Sequence, residues 1–278
     1  MRGIKVVYAM ASLTADNADA KAEGETVQLT EDAYVHLNEG VELFQKHLAT
    51  QDVNADGNPW KVERDTGNLR VRYSSSNDNS CRIFHVIFRV KIPKSFDLNV
   101  FIKNLMDMPN RVAWDKSIKS AKTWSTYDSP LDEDISLSKS SGTKISYELS
   151  EYTTASAAGG IVSPRWFLDA RKYILEKNGT SSCVTIDASG TGLVQPESGH
   201  VVAKNYKGGA SRIKRIETLE DDFEIWQHDS IAHCNIGGWL PTAIVNRETG
   251  GAMAGTYESM LLKLAEGGEN SIVPTSTY

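Results

Sequence analysis

Arg111 and Asp115 stand four residues apart, just after the Pro109-Asn110 break. In a helical turn this spacing puts both side chains on one face, so the carboxylate can hold the guanidinium in place. A guanidinium held this way offers a planar fork that matches a phosphate better than a lysine's point charge does. The alternative is a surface ion pair contributing under about 1 kcal/mol. Other reactive residue types form no catalytic pattern: GxSxG, HExxH and the P-loop are missing. His85, His200, His228 and His233 lie on separate segments without metal-ligand spacing, and Cys81, Cys183 and Cys234 make no CxxC. No catalytic residue, metal ligand or cofactor site is expected. The thiols are expected to be buried, in a reducing compartment.

The 278 residues carry a net charge of −6, which argues against a dedicated nucleic-acid binder. Hydrophobic residues at 40% and charged residues at 24% are ordinary globular usage and exclude wholesale disorder. No run approaches the roughly 18 apolar residues of a spanning helix. The length suits one large domain, a monomer able to bury a core or enclose a cavity. Met1 to Leu13 has the outline of a signal peptide, but its apolar core is short and follows Lys5. A cytoplasmic location is expected. Secretion is the alternative, and Asn178-Gly179-Thr180 would then be a glycosylation sequon.

Residues 1–25 are small and polar and read as a flexible tail. From Leu29 to Leu48 apolar residues recur at helical spacing, with Thr30 or Asp32 to cap the start. Strands are expected at 60–63, 69–73 and 83–90, then a helix from Phe96 to Met108. A long β region follows, with strands at 118–127, 135–138, 144–152, 167–176, 183–189, 201–206, 211–218 and 224–231. Between two of these lies Ala155 to Pro164, apolar yet rich in small residues and breakers, which is unusual for a surface loop. A last helix runs from Trp239 to about Ala265, and residues 269–278 read as a C-terminal tail. An antiparallel sheet this long must curl and cover its apolar face. Only the closing helix is long enough to do so, which predicts a curved sheet gripping that helix around a hollow.

Residues Trp60 to Ala265 resemble the START family of lipid-transfer domains. Four blocks carry the likeness in order: Asn110-Arg111-Val112-Ala113-Trp114-Asp115, then Gly160-Ile161-Val162-Ser163-Pro164-Arg165-Trp166-Phe167 leading to Arg171, then Val201-Val202-Ala203-Lys204-Asn205-Tyr206, and Gly237-Gly238-Trp239-Leu240-Pro241 running into Asn246. The resemblance implies an α+β helix-grip fold over residues 26–268, an internal tunnel for one lipid, transient membrane contact and no catalysis. It also implies a mobile gate at Gly159, Gly160, Ile161, Val162 and Pro164; the alternative is a tightly packed turn. The closing helix is a second mobile element, with Trp239, Val245, Met253 and Met260 among its lid residues. Gly250, Gly251 and Gly255 each weaken it by roughly 1 kcal/mol relative to alanine.

The likeness is nearest in motif to the phosphatidylcholine-transfer type. It implies that Arg111 and Asp115 contact the phosphate region, with Phe167 and Tyr206 among aromatic residues boxing the choline. Tyr147, Tyr152 and Trp166 compete for a third aromatic position. Arg171 matches the buried arginine that sterol-type members pair with an acid. The expected register sets Tyr152 opposite it, with Glu151 adjacent and Glu148 farther along, so its partner stays open. A phospholipid is the leading ligand. A sterol or ceramide carrier, a lipid sensor and a cavity enzyme are the alternatives.

Overall fold

The computed structural model describes residues 28–78, 81–156, 160, 162–218, 222–239, 241–265 and 272–275. The segment 1–25 therefore lies outside the described residues, as do Gly159 and Ile161 of the expected gate.

Helix α1 (Glu31–Ala49) begins where Thr30 Oγ1 accepts a hydrogen bond from the Ala33 amide at 3.3 Å, and Glu31 and Asp32 occupy its first turn. Both features favour a helix start. Most of the remaining chain is sheet. Its main path runs β1 (Lys61–Asp65), β2 (Leu69–Ser75), β3 (Arg82–Pro93), β11 (Phe223–Asn235), β10 (Ala210–Thr218), β7 (Ser181–Asp187), β6 (Arg165–Leu175), β5 (Lys144–Thr154) and β4 (Ile118–Asp128), all antiparallel. The short β8 (Val201–Val202) pairs with β6 and β9 (Lys204–Asn205) with β11. Helices α2 (Leu98–Met106) and α3 (Met108–Arg111) close one end, and α5 (Thr242–Ala265) lies across the concave side. This is the curved antiparallel sheet gripping a C-terminal helix that was expected.

Five local expectations are corrected. Ile135 to Ser138 is not a strand but part of helix α4 (Asp132–Ser141). Asp132, Glu133 and Asp134 put three carboxylates in its first turn, and Gly142 at φ 72° ends it in the left-handed region. Pro109 lies in the first turn of α3, a position that tolerates proline, besides interrupting the helix before it. The single strand expected over 201–206 is divided between two neighbours at the buried Ala203. Trp239 precedes α5, beyond Gly237 and Gly238 at φ 63° and 77°. Within the segment read as a C-terminal tail, β12 (Val273–Thr275) pairs with β3.

The pleat assigns alternate residues of each strand to opposite faces. Tyr147, Leu149, Trp166, Leu168, Ala170, Val184 and Ile186 form one core with Leu37 and Phe44 of α1. Gly40 allows that helix to lie close, because a Cβ there would stand 2.9 Å from Val184 Cγ1. Phe84, Val86, Phe88 and Val90 form a second core with Phe101 and Leu105 of α2 and Tyr257, Met260 and Leu261 of α5. Full burial of each such apolar side chain contributes roughly 1.5–3 kcal/mol.

Candidate functional site

Between α5 and the middle of the sheet the two cores leave a cavity of about 1160 Å³. Leu105, Met106, Met108, Ile118, Phe167, Val245, Met253 and Tyr257 contribute much of its apolar wall, and Val162 and Trp239 stand on its boundary. Polar residues such as Arg165 and His233 also line it, and three further polar groups stand in its wall.

The first is Arg111 with Asp115. The Asp115 amide donates to the Arg111 carbonyl at 2.8 Å, so the chain keeps a helical turn past α3. Arg111 Nη2 then donates to Asp115 Oδ2. The other carboxylate oxygen accepts from the Ser117 amide at 3.0 Å and from its hydroxyl at 2.5 Å. Asp115 is thereby buried and fully engaged, whereas Arg111 Nε is buried with no hydrogen-bond partner.

The second is Arg171. Its Nη1 lies 3.2 Å from Glu148 Oε1, and its Nη2 donates to the Met106 carbonyl. Glu148 is the residue directly opposite Arg171 in the β5–β6 register, which corrects the expectation of Tyr152 there. The ten residues 155–164 joining these strands do not fix the register as a two-residue turn would. Tyr152 instead faces Phe167, and their rings stack at 4.6 Å and 5°. This distinguishes the three aromatic alternatives: Tyr147 packs against Tyr34 on the α1 side, Trp166 belongs to that same core, and Tyr152 lines the cavity.

The third group is Asp169, which was not expected. Asn205 Nδ2 donates to its two carboxylate oxygens at 3.1 and 2.9 Å and to the Tyr152 hydroxyl at 3.1 Å. Burial pushes the Asp169 pKa up to about 7. Asp169 stands two residues before Arg171 on β6, so strand alternation alone could have marked it as facing the same way. Asn205 takes the place that Tyr206 was expected to fill. At the end of β9 Asn205 points to the cavity, while the Tyr206 ring rests on His233 at 4.7 Å and is not among the cavity-lining residues.

Of the lid residues, Val245, Met253 and Trp239 line the cavity, but Met260 is buried in the core beneath α5 and does not. At Gly250 a Cβ would meet Phe84 and Glu63 at 3.0 Å, so the helix approaches the sheet closely there. Gly251 and Gly255 face open space. Of the gate, Gly160 has φ 93° and Val162 lines the cavity. Cys183 and Cys234 also line it; burial raises both thiols, Cys234 to about 12, so neither is a reactive thiolate.

A smaller cleft of about 680 Å³ is lined by charged residues such as Lys119, Lys122, Glu151 and Glu197, which suits an apolar ligand poorly. Among the described residues no group of three metal-ligating side chains converges, and no helix is long and apolar enough to cross a membrane.

The family model of the START domain matches residues 46–261. No curated protein sequence matches the chain. Three solved structures share its fold at low identity. Human StAR-related lipid transfer protein 5 is 18% identical with a TM-score of 0.59, over 82% of this chain and 95% of that one. Human STARD10 is 14% identical with a TM-score of 0.53, over 87% and 84%. A STAR-related lipid transfer protein from Xanthomonas axonopodis is 15% identical with a TM-score of 0.50, over 72% and 96%.

Proposed function

The chain belongs to the START domain family, and from that premise we propose that it carries one phospholipid, such as phosphatidylcholine, between membranes in the cavity beneath α5. The observation that carries this reading is the cavity itself, about 1160 Å³ with a mainly apolar wall. That exceeds the roughly 300–1000 Å³ of ordinary small-molecule pockets. Acyl chains removed from water there gain about 25 cal/mol per Å² of buried apolar surface. Two of the similar structures are of lipid transfer proteins by name, and the proposal extends that activity to this chain.

Arg111 is the phosphate-reading residue in this proposal. Asp115, itself held by Ser117, anchors its guanidinium, and the unpartnered Nε leaves a donor for a phosphate oxygen. Phe167, stacked on Tyr152, offers an aromatic surface to a headgroup cation. Tyr206 is left a supporting role behind His233. Lipid exchange requires the cavity to open, and α5 with Gly160, Val162 and Pro164 forms the movable boundary. Trp239 at 84% exposure and Ile244 at 45% are placed to touch a bilayer during that exchange.

One observation favours a second reading. The buried Arg171–Glu148 pair is complete, so the polar contact implied for sterol-type members is present. Native mass spectrometry of the purified protein, with identification of the copurifying lipid, decides between the two. A one-to-one phospholipid complex, emptied by Arg111→Ala, is the expected result. A sterol retained by Arg111→Ala and lost in Arg171→Met would transfer the site to Arg171.

A further inference from the structure

The phospholipid reading assigns Arg111 and the aromatic stack but leaves Asp169, Asn205 and the Tyr152 hydroxyl unexplained. Asp169 is only 2% exposed, lines the cavity, and among the described residues makes no ion pair. Burying a carboxylate this way is unfavourable unless a cation or strong donors meet it. Arg171 does not meet it, because its guanidinium is bonded to Glu148 and to the Met106 carbonyl. Among the described residues the only donor on Asp169 is the Asn205 amide, and that amide also serves the Tyr152 oxygen. Tyr152 accepts from Asn205 and gives its own hydrogen to no described acceptor.

Resting on the phospholipid reading, we propose that Asp169, Asn205 and Tyr152 form a subsite for a primary ammonium, so that the preferred ligand is an ethanolamine phospholipid rather than its choline counterpart. Tyr152 stands within electrostatic range of both Arg111 and Asp169. Arg111, Tyr152 and Asp169 line the same cavity, so a fixed positive charge and a buried carboxylate share one wall, which complements a headgroup with phosphate at one end and a cation at the other. The hydrogen-bonding capacity selects which cation. The two Asp169 oxygens and the Tyr152 oxygen are acceptors, and a primary ammonium brings three donors to them. A quaternary ammonium brings none and would gain only the aromatic face of Tyr152 and Phe167. Binding the ammonium would also give Asp169 a hydrogen-bonded cation, which Arg171, bonded to Glu148 and the Met106 carbonyl, does not.

The full chain is incubated with vesicles of equimolar phosphatidylethanolamine and phosphatidylcholine, and the lipid taken up is counted by native mass spectrometry. The expected result is preferential loading of phosphatidylethanolamine. Asp169→Asn, which keeps the shape, should reduce the preference by about tenfold, the size of one charge-assisted hydrogen bond. Tyr152→Phe, which keeps the ring stack, should reduce it less, and circular dichroism checks that both variants are folded. Equal loading of the two lipids, a choline preference, or an unchanged preference in folded Asp169→Asn would overturn the inference. Uptake of neither phospholipid would overturn the phospholipid reading itself, and the inference with it.

Discussion

Arg171 and Lys172 are neighbours on β6 and belong to opposite faces of the sheet. Lys172 points toward α1, where its ammonium meets Asp134 at 2.9 Å and Asn38 at 2.8 Å. Asp134 in turn accepts from the Tyr147 and Ser129 hydroxyls, each at 2.7 Å. Farther along this face Arg72 donates to His85 Nδ1 at 3.1 Å, which leaves Nε2 to donate to Asp229 at 3.2 Å. Arg212 and Gln227 complete the Asp229 carboxylate at 3.0 Å each. Arg171, Asp169 and Arg111 line the other face, where bonding capacity is left over: an Arg111 Nε, an Asp169 carboxylate without a cation, a Tyr152 hydrogen. The difference separates two uses of buried polarity. On the α1 face the buried anions are fully paired and hold the fold, although Arg212 Nε stays unpartnered there, whereas on the cavity face an anion without an ion pair faces the space a ligand would fill.

The largest test of this contrast compares two aspartates. Asp229→Ala leaves Arg212, Arg72 and His85 without their anion and should cost about 3–5 kcal/mol in urea denaturation. Asp169→Asn replaces an unpaired carboxylate by a neutral isostere and should leave the ligand-free protein at least as stable. Equal losses in the two variants would show that the faces do not differ in this way.

Acidification acts next. Burial lowers the pKa of His47 to about 4 and of His228 to about 3, and it lowers those of His85 and His233 as well. Groups depressed on folding contribute stability above the ordinary histidine value, lost as pH falls from about 6.5 toward 4. Asp169 works in the opposite sense. Raised on folding to about 7, it contributes most at low pH, and that contribution is lost as pH rises through 7. The ligand-free protein should therefore weaken on acidification, and Asp169→Asn should steepen the fall between about pH 7 and 4 because the opposing group is gone. Denaturation midpoints measured at successive pH values check the slopes.

The smallest effects come from one substitution made at two helices. Gly40→Ala forces a methyl onto Val184 beneath α1 and should cost about 1–3 kcal/mol. Gly255→Ala enters open space on α5 and should stabilise by about 1 kcal/mol through helix propensity alone. Opposite shifts in thermal midpoint would confirm that α1 is packed tightly while this part of α5 has room.

Much of the fold was legible in the residues themselves. The α1 stripe, the antiparallel run and the closing helix follow from periodicity, which is local. So does the Arg111–Asp115 contact, because four residues of helical chain determine it. Ile135 to Ser138 misled because Ile-Ser-Leu-Ser alternates as a strand does and four residues are too few to show a helical period, while the acidic first turn and Gly142 settled it as a helix. Tyr206 was placed by motif likeness and not by periodicity, and past the break at Ala203 it is Asn205 that lines the cavity.

What the sequence determined by itself is therefore the opening and closing helices, the long antiparallel run between them, the side of the sheet to which neighbouring strand residues belong, and the family likeness carried by four short blocks. What only the tertiary structure decided is which residues meet across strands. Glu148 rather than Tyr152 lies opposite Arg171, Tyr152 stacks on Phe167, and Asn205 bridges Asp169 and Tyr152 from 36 and 53 residues away. The physical reason is that pairing register is set by strand packing on both faces at once, and a one-residue slip exchanges every side chain between core and cavity.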